Sequence, residues 1–141
     1  MIREISSDLA SFKTLRFRDG LNILLAEKSP GATDRQSRNS AGKSSVVEIV
    51  HFLLGGKADP NSIFRSDALG ASCFRLEVDL AAAPVLISRS GGLAAKGKKQ
   101  SKGAQDITVI GNLSKWLRNV PNSDVETVLS NEQWKAVLAD A

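Results

Sequence analysis

Ser37-Arg38-Asn39-Ser40-Ala41-Gly42-Lys43-Ser44-Ser45 is the stretch that decides the fold. The phosphate-binding loop pattern is a glycine, four residues, then Gly-Lys and a Ser or Thr, set between a strand and a helix. Gly42-Lys43-Ser44 supplies its second half, and Ser37 stands at the first glycine position. The chemistry follows from the start of a helix. Backbone N–H groups there have no partner within the helix, and the helix dipole adds positive potential. Phosphate oxygens satisfy both. Gly42 lets the backbone approach a phosphate with no Cβ in the way. Lys43 offers a charge to the β- and γ-phosphates, Ser44 a hydroxyl to Mg²⁺, and Ser45 a hydrogen bond to the α-phosphate. Asn39, Ser40 and Ala41 complete the candidate binding residues. A bare Gly-Lys-Ser also fits an ordinary loop that closes on a helix, so the flanking elements carry the weight.

Upstream, Leu21-Asn22-Ile23-Leu24-Leu25-Ala26 is a nearly continuous apolar run of strand length, the pattern of a strand buried on both faces. Phe12 to Phe17 partly alternates, and Asp19-Gly20 signals a turn, so these residues predict a hairpin feeding that central strand. Downstream, Lys43 to Leu54 reads as a helix with apolar residues around most of its circumference, to be buried on more than one side. His51, inside it, reads as a packing residue. Gly55-Gly56 stops the helix.

Further along, Phe74 to Leu80 alternates strictly and predicts a half-buried strand, paired antiparallel with Val85-Leu86-Ile87. Ile107 to Ile110 predicts another strand. Asn112 to Val120 suggests a short helix, and Asn131 to Ala141 a second. Trp116 and Trp134 read as core or interface anchors, and Cys73 as buried and inert.

Composition narrows the class. The chain has 141 residues, one domain by length, with 19 Lys+Arg against 15 Asp+Glu. One cysteine excludes an internal disulfide framework and a cysteine-clustered zinc site. No apolar run approaches the ~18 residues of a membrane span, and no signal-peptide core is evident, so the expected compartment is the cytoplasm. Arg89, Lys96, Lys98, Lys99 and Lys102 fall in a segment with no acid, while the whole chain carries a net charge of only +4. The excess is therefore local. Residues 90–105 read as a flexible basic loop. Lys96, Lys98, Lys99 and Lys102 either form a solvated hairpin tip or contact DNA phosphates. No aromatic residue lies among them to stack on bases.

Gly20-Leu21-Asn22-Ile23-Leu24, Asn39-Ser40-Ala41-Gly42-Lys43-Ser44-Ser45 and Phe52-Leu53-Leu54-Gly55-Gly56 together resemble the N-terminal lobe of ABC-type ATPases of the SMC, RecF and RecN kind. The chain is particularly similar to the SMC-like ATPases of bacterial ABC-three-component systems, which share a longer loop before an Asn-Ser-x-Gly-Lys core. The similarity is closest from Phe12 to Gly56. Two features depart from the family: Ser37 and Ser40 stand where glycine is common. A Walker B strand, a signature motif and a switch histidine are not found. Asp79 is followed by Leu80, and Ser90-Gly91-Gly92 lacks the signature's flanks.

The resemblance implies an α/β fold: a P-loop NTPase N-lobe, with a mixed sheet and antiparallel hairpins around a central Walker A helix. Residues 1–141 would form an ATP-binding lobe of an incomplete ATPase head. It implies ATP and Mg as cofactors, and a C-terminal lobe as partner. Hydrolysis is expected only with that lobe, in DNA repair or phage defence. DNA is a further partner by way of the four lysines, and a homodimer would cover the face the missing lobe leaves open. No membrane is implied. The alternative is a non-catalytic DNA-binding or scaffold module with a degenerate loop. A small GTPase or kinase is disfavoured, and no Asn-Lys-x-Asp guanine motif occurs.

Overall fold

A computed structural model describes residues 1–25, 31, 43–59, 61–92 and 107–141, with residues 43 and 44 described by backbone alone. It is a small α/β domain: a six-stranded sheet with two helices. The strands are β1 (Ile2–Ser7), β2 (Leu15–Arg16), β3 (Cys73–Leu80), β4 (Ala83–Ser90), β5 (Ile107–Gly111) and β6 (Val125–Leu129). The helices are α1 (Lys43–Leu53) and α2 (Asn131–Asp140). The spatial order is β2-β1-β3-β4-β5-β6. Every pairing among the described strands is antiparallel, where the sequence predicted a mixed sheet.

Period-two alternation sets the core. Ile5 pairs with Leu76, Leu76 with Ile87, and Ile87 with Val109. All four are fully buried, so one apolar row crosses four strands. The next row, Glu4, Glu77, Leu86 and Ile110, carries the side chains of the opposite face. β3 and β4 pair antiparallel, as the sequence predicted, but β4 is longer than the Val85-Leu86-Ile87 expected, and the chain turns at Ala81-Ala82 with Pro84 already paired to Asp79.

α1 packs on β3 and β4, and α2 on β6. Ile49, Phe52 and Leu53 of α1 are buried, a single stripe at helical spacing. Val47 is 70% exposed, and His51 and Leu54 are also exposed. The helix is therefore buried on one side, where the sequence suggested more than one, and His51 is not a packing residue. The reason is the layering: α1 packs on the sheet with one side, and among the described residues no second layer covers the other.

Leu21 to Leu25 differs most from expectation. It forms no strand, and Leu21, Ile23 and Leu25 are strongly exposed. Ala26 lies outside the described residues. Asn22 closes a local turn instead, accepting from the Arg18 N–H and donating to the Arg18 and Gly20 carbonyls. A run that is apolar on both faces needs strands on both sides to be buried. None of the described strands lies beside this one. Similarly, the strand expected over Phe12 to Phe17 shrinks to Leu15–Arg16. The helix expected from Asn112 is one turn, in which the Trp116 and Leu117 N–H groups donate to the Leu113 carbonyl. Asn112 caps the backbone that follows it by accepting from the Ser114 N–H, and Asn119 sits at positive φ. β6 was not anticipated. α2 begins where predicted, on a capping box in which Ser130 and Gln133 exchange hydrogen bonds.

Candidate functional site

The phosphate-loop residues are placed in part. Asn39, Ser40, Ala41 and Gly42 lie outside the described residues. Lys43 and Ser44 are the first described backbone positions of α1. Its first turn carries no acidic residue. The positive end of the helix dipole is thus not offset by a carboxylate within that turn. Ser45 is half-buried on the rim of a cavity of about 630 Å³ between α1 and the β1–β2 side. Phe12, Leu15, Leu25, Val46, Ile49 and Phe74 give that cavity apolar walls, and Lys13 and Ser45 are among its polar residues.

The other end of α1 is tightly specified. Gly55 has φ +96°, the Gly56 N–H donates to the His51 carbonyl, and the Gly55 N–H to the Phe52 carbonyl. This is a Schellman ending, and it needs the left-handed glycine. Two side chains distant in sequence complete it. The Trp134 indole donates to the Leu53 carbonyl, and Arg89 Nη1 donates to the carbonyls of both Phe52 and Gly56. Arg89 is only 1% exposed, and burial lowers its pKa from the usual arginine value.

Arg89 is the residue the sequence reading missed. Its charge places it with the lysines that follow in sequence, but the structure buries it on β4. The signal was present: Val85, Ile87 and Arg89 share one face by alternation, and the first two are core residues. Just beyond β4, the chain passes so close to the Ile63–Arg65 turn that a Cβ on Gly91 would lie 1.5 Å from the Phe64 carbonyl oxygen.

A second, polar depression of about 310 Å³ lies on the outer side of α1, lined by Glu48, His51, Lys57, Asn61 and Ser62 among others. No group of three or more His, Cys, Asp or Glu able to hold a metal occurs among the described residues. Lys96, Lys98, Lys99 and Lys102 lie outside the described residues, in the connection between the paired strands β4 and β5. Cys73 is half-buried rather than fully buried, and desolvation raises its pKa, which disfavours the reactive thiolate. Trp134 is a core residue as expected, and Trp116 is partly buried against the core. None of the described helices is long and apolar enough to cross a membrane. In comparisons with protein-family models, curated proteins and solved structures, the chain matches none.

Proposed function

We propose that the chain binds Mg-ATP at the start of α1 and forms the N-terminal lobe of an SMC-like ATPase head acting in DNA repair or phage defence. The observation that supports this is that Lys43 and Ser44 lie in the first described turn of α1, which carries no acidic side chain. The residues assigned to the nucleotide are Asn39, Ser40, Ala41, Gly42, Lys43, Ser44 and Ser45, with Ser44 also on Mg²⁺. The apolar walls beside Ser45 are of the kind that pack against a nucleobase. The P-loop fold and the central role of α1 belong to this same proposal.

Hydrolysis requires a positioned water, a base and charge stabilisation at the γ-phosphate. In this reading a C-terminal lobe supplies them, and the chain alone binds without turning over. The four lysines would add salt-sensitive contacts to DNA phosphates. The competing reading is a scaffold or DNA-binding module whose loop holds no nucleotide, favoured by Ser37 in place of glycine.

Calorimetric titration with Mg-ATP separates the two. The nucleotide-binding reading expects saturable binding by the wild type and its loss in a folded Lys43→Ala variant. Equal titrations for both proteins, or none for the wild type, would favour the scaffold.

A further inference from the structure

We infer that Arg89 is a positioning residue: it ties the C-terminal end of α1 to the sheet and so fixes where the phosphate-binding end of that helix sits. The inference rests on the nucleotide-binding reading for its functional consequence, and on geometry alone for its mechanical part.

Arg89 lies on the inward row of β4, after Val85 and Ile87, and is 1% exposed. Its Nη1 donates at 2.7 Å to the Phe52 carbonyl, within the last turn of α1, and at 2.7 Å to the Gly56 carbonyl just beyond the helix. The guanidinium also lies 4.2 Å from the centroid of the Phe52 ring. That ring stacks in turn on Phe64, at 4.2 Å between centroids. One side chain from the sheet therefore grips the helix end through two carbonyls and an aromatic face.

The grip comes at a cost that plain packing would avoid. No carboxylate pairs with Arg89 among the described residues, and its Nε and Nη2 are buried without a hydrogen-bond partner. An unpaired buried guanidinium is expensive, and an apolar side chain of similar length would not carry that penalty. What an apolar side chain cannot do is donate to the carbonyl end of α1, where the helix dipole favours a cation. The unusual residue and the unusual contact thus occur together. α1 is 11 residues long, roughly 16 Å at 1.5 Å per residue, and rigid on that scale. A helix held at its far end presents its first turn, Lys43 onward, in one place relative to β3 and β4.

The test compares Arg89→Lys, Arg89→Gln and Arg89→Met by circular dichroism, native-state hydrogen exchange and Mg-ATP titration. Met fills the space without a donor. It is expected to keep the sheet, yet to lose about tenfold in protection at Leu54, Gly55 and Gly56 relative to the β3 and β4 amides, the scale of one charge-assisted hydrogen bond. Mg-ATP affinity should weaken by a similar factor. Lys, which can still donate, should retain both properties. If Met does not fold, Gln, which is too short to reach the Phe52 and Gly56 carbonyls and carries no charge, decides by the same selective pattern. Unchanged exchange at residues 54–56, or a uniform loss across helix and sheet, would overturn the tie. Selective loss of protection with unchanged ATP affinity would overturn the positioning role. If the wild type binds no Mg-ATP, the nucleotide reading fails and the positioning role with it. The exchange pattern then still reports whether Arg89 holds α1.

Discussion

Trp134 donates its indole N–H to the Leu53 carbonyl at 3.1 Å, across 81 residues of sequence and inside the core. This bond joins α2 to the last turn of α1 and satisfies a carbonyl that the helix itself leaves open. Trp134→Phe would keep most of the apolar contact and remove the donor. The expected cost is about 1–3 kcal/mol, the penalty of an unsatisfied buried acceptor. Urea unfolding should show a lower midpoint with an unchanged slope. An unchanged midpoint would mean that Leu53 finds another donor.

The β3–β4 turn is a site where stability can be gained. Ala81 and Ala82 have φ values of 47° and 68°, and they are the whole connection between the paired Leu80 and Ala83. Two positive φ angles in a two-residue hairpin loop define the type I′ turn, which favours Asn-Gly and strains alanine. Ala81→Asn combined with Ala82→Gly should stabilise the domain by about 1 kcal/mol, after the entropy that glycine adds to the unfolded chain. That corresponds to a rise in Tm of roughly 3–4 °C. An unchanged or lower Tm would argue against the left-handed geometry.

Arg3 and Asp79 make an acid-sensitive pair on the exposed side of the sheet. Arg3 Nε lies 2.7 Å from Asp79 Oδ1. This hydrogen bond, aided by the arginine charge, holds the Asp79 carboxyl below its ordinary pKa. A carboxylate with a depressed folded-state pKa stabilises the fold above its unfolded pKa, and that contribution is lost as pH falls through the folded value. Stability should therefore decline on acidification below about pH 4, the ordinary aspartate range. Arg3→Ala should flatten this part of the pH profile while changing stability little at neutral pH, since exposed pairs are weak. Chemical denaturation from pH 2 to pH 7 tests it; parallel profiles would rule out the pair as the source.

The elements legible in the sequence were those whose pattern reports its own burial. Phe74 to Leu80 alternates, and its partner strand alternates with it, so both could be read without knowing the rest of the fold. Gly55-Gly56 announced the helix end because only glycine adopts the required φ cheaply. Leu21 to Leu25 misled for the converse reason. A continuous apolar run says that both faces could be buried, but not by what, and no described strand covers them. β6 escaped because Val125-Glu126-Thr127-Val128-Leu129 is short and follows a polar stretch. At the candidate site, the helix that runs from Lys43 toward Gly55-Gly56 was legible. The fixing of the helix from its far end was not, because Arg89 and Trp134 meet α1 only through the tertiary fold.

The exposed apolar surface beside α1 leads to the last prediction. Leu21 is 88% exposed, Leu25 75% and Val47 70%. Leu24 and Leu25 also line the apolar cavity next to α1. Apolar surface gathered as Leu24 and Leu25 are at this cavity favours association, whereas scattered single residues do not. The expected behaviour is self-association that rises from low to high micromolar concentration, read by light scattering as an increasing average mass. Leu21→Ser together with Leu25→Ser should suppress it. Stability should shift by no more than about 0.5 kcal/mol per substitution, because both side chains are exposed. Under the proposed function, a C-terminal lobe supplied in trans should compete with self-association for the same surface. A monomeric mass at every concentration would remove the basis for an open lobe face. Association undiminished in the double variant would move it elsewhere on the molecule, with the edge strand β6 and its exposed Val128 the next place to look.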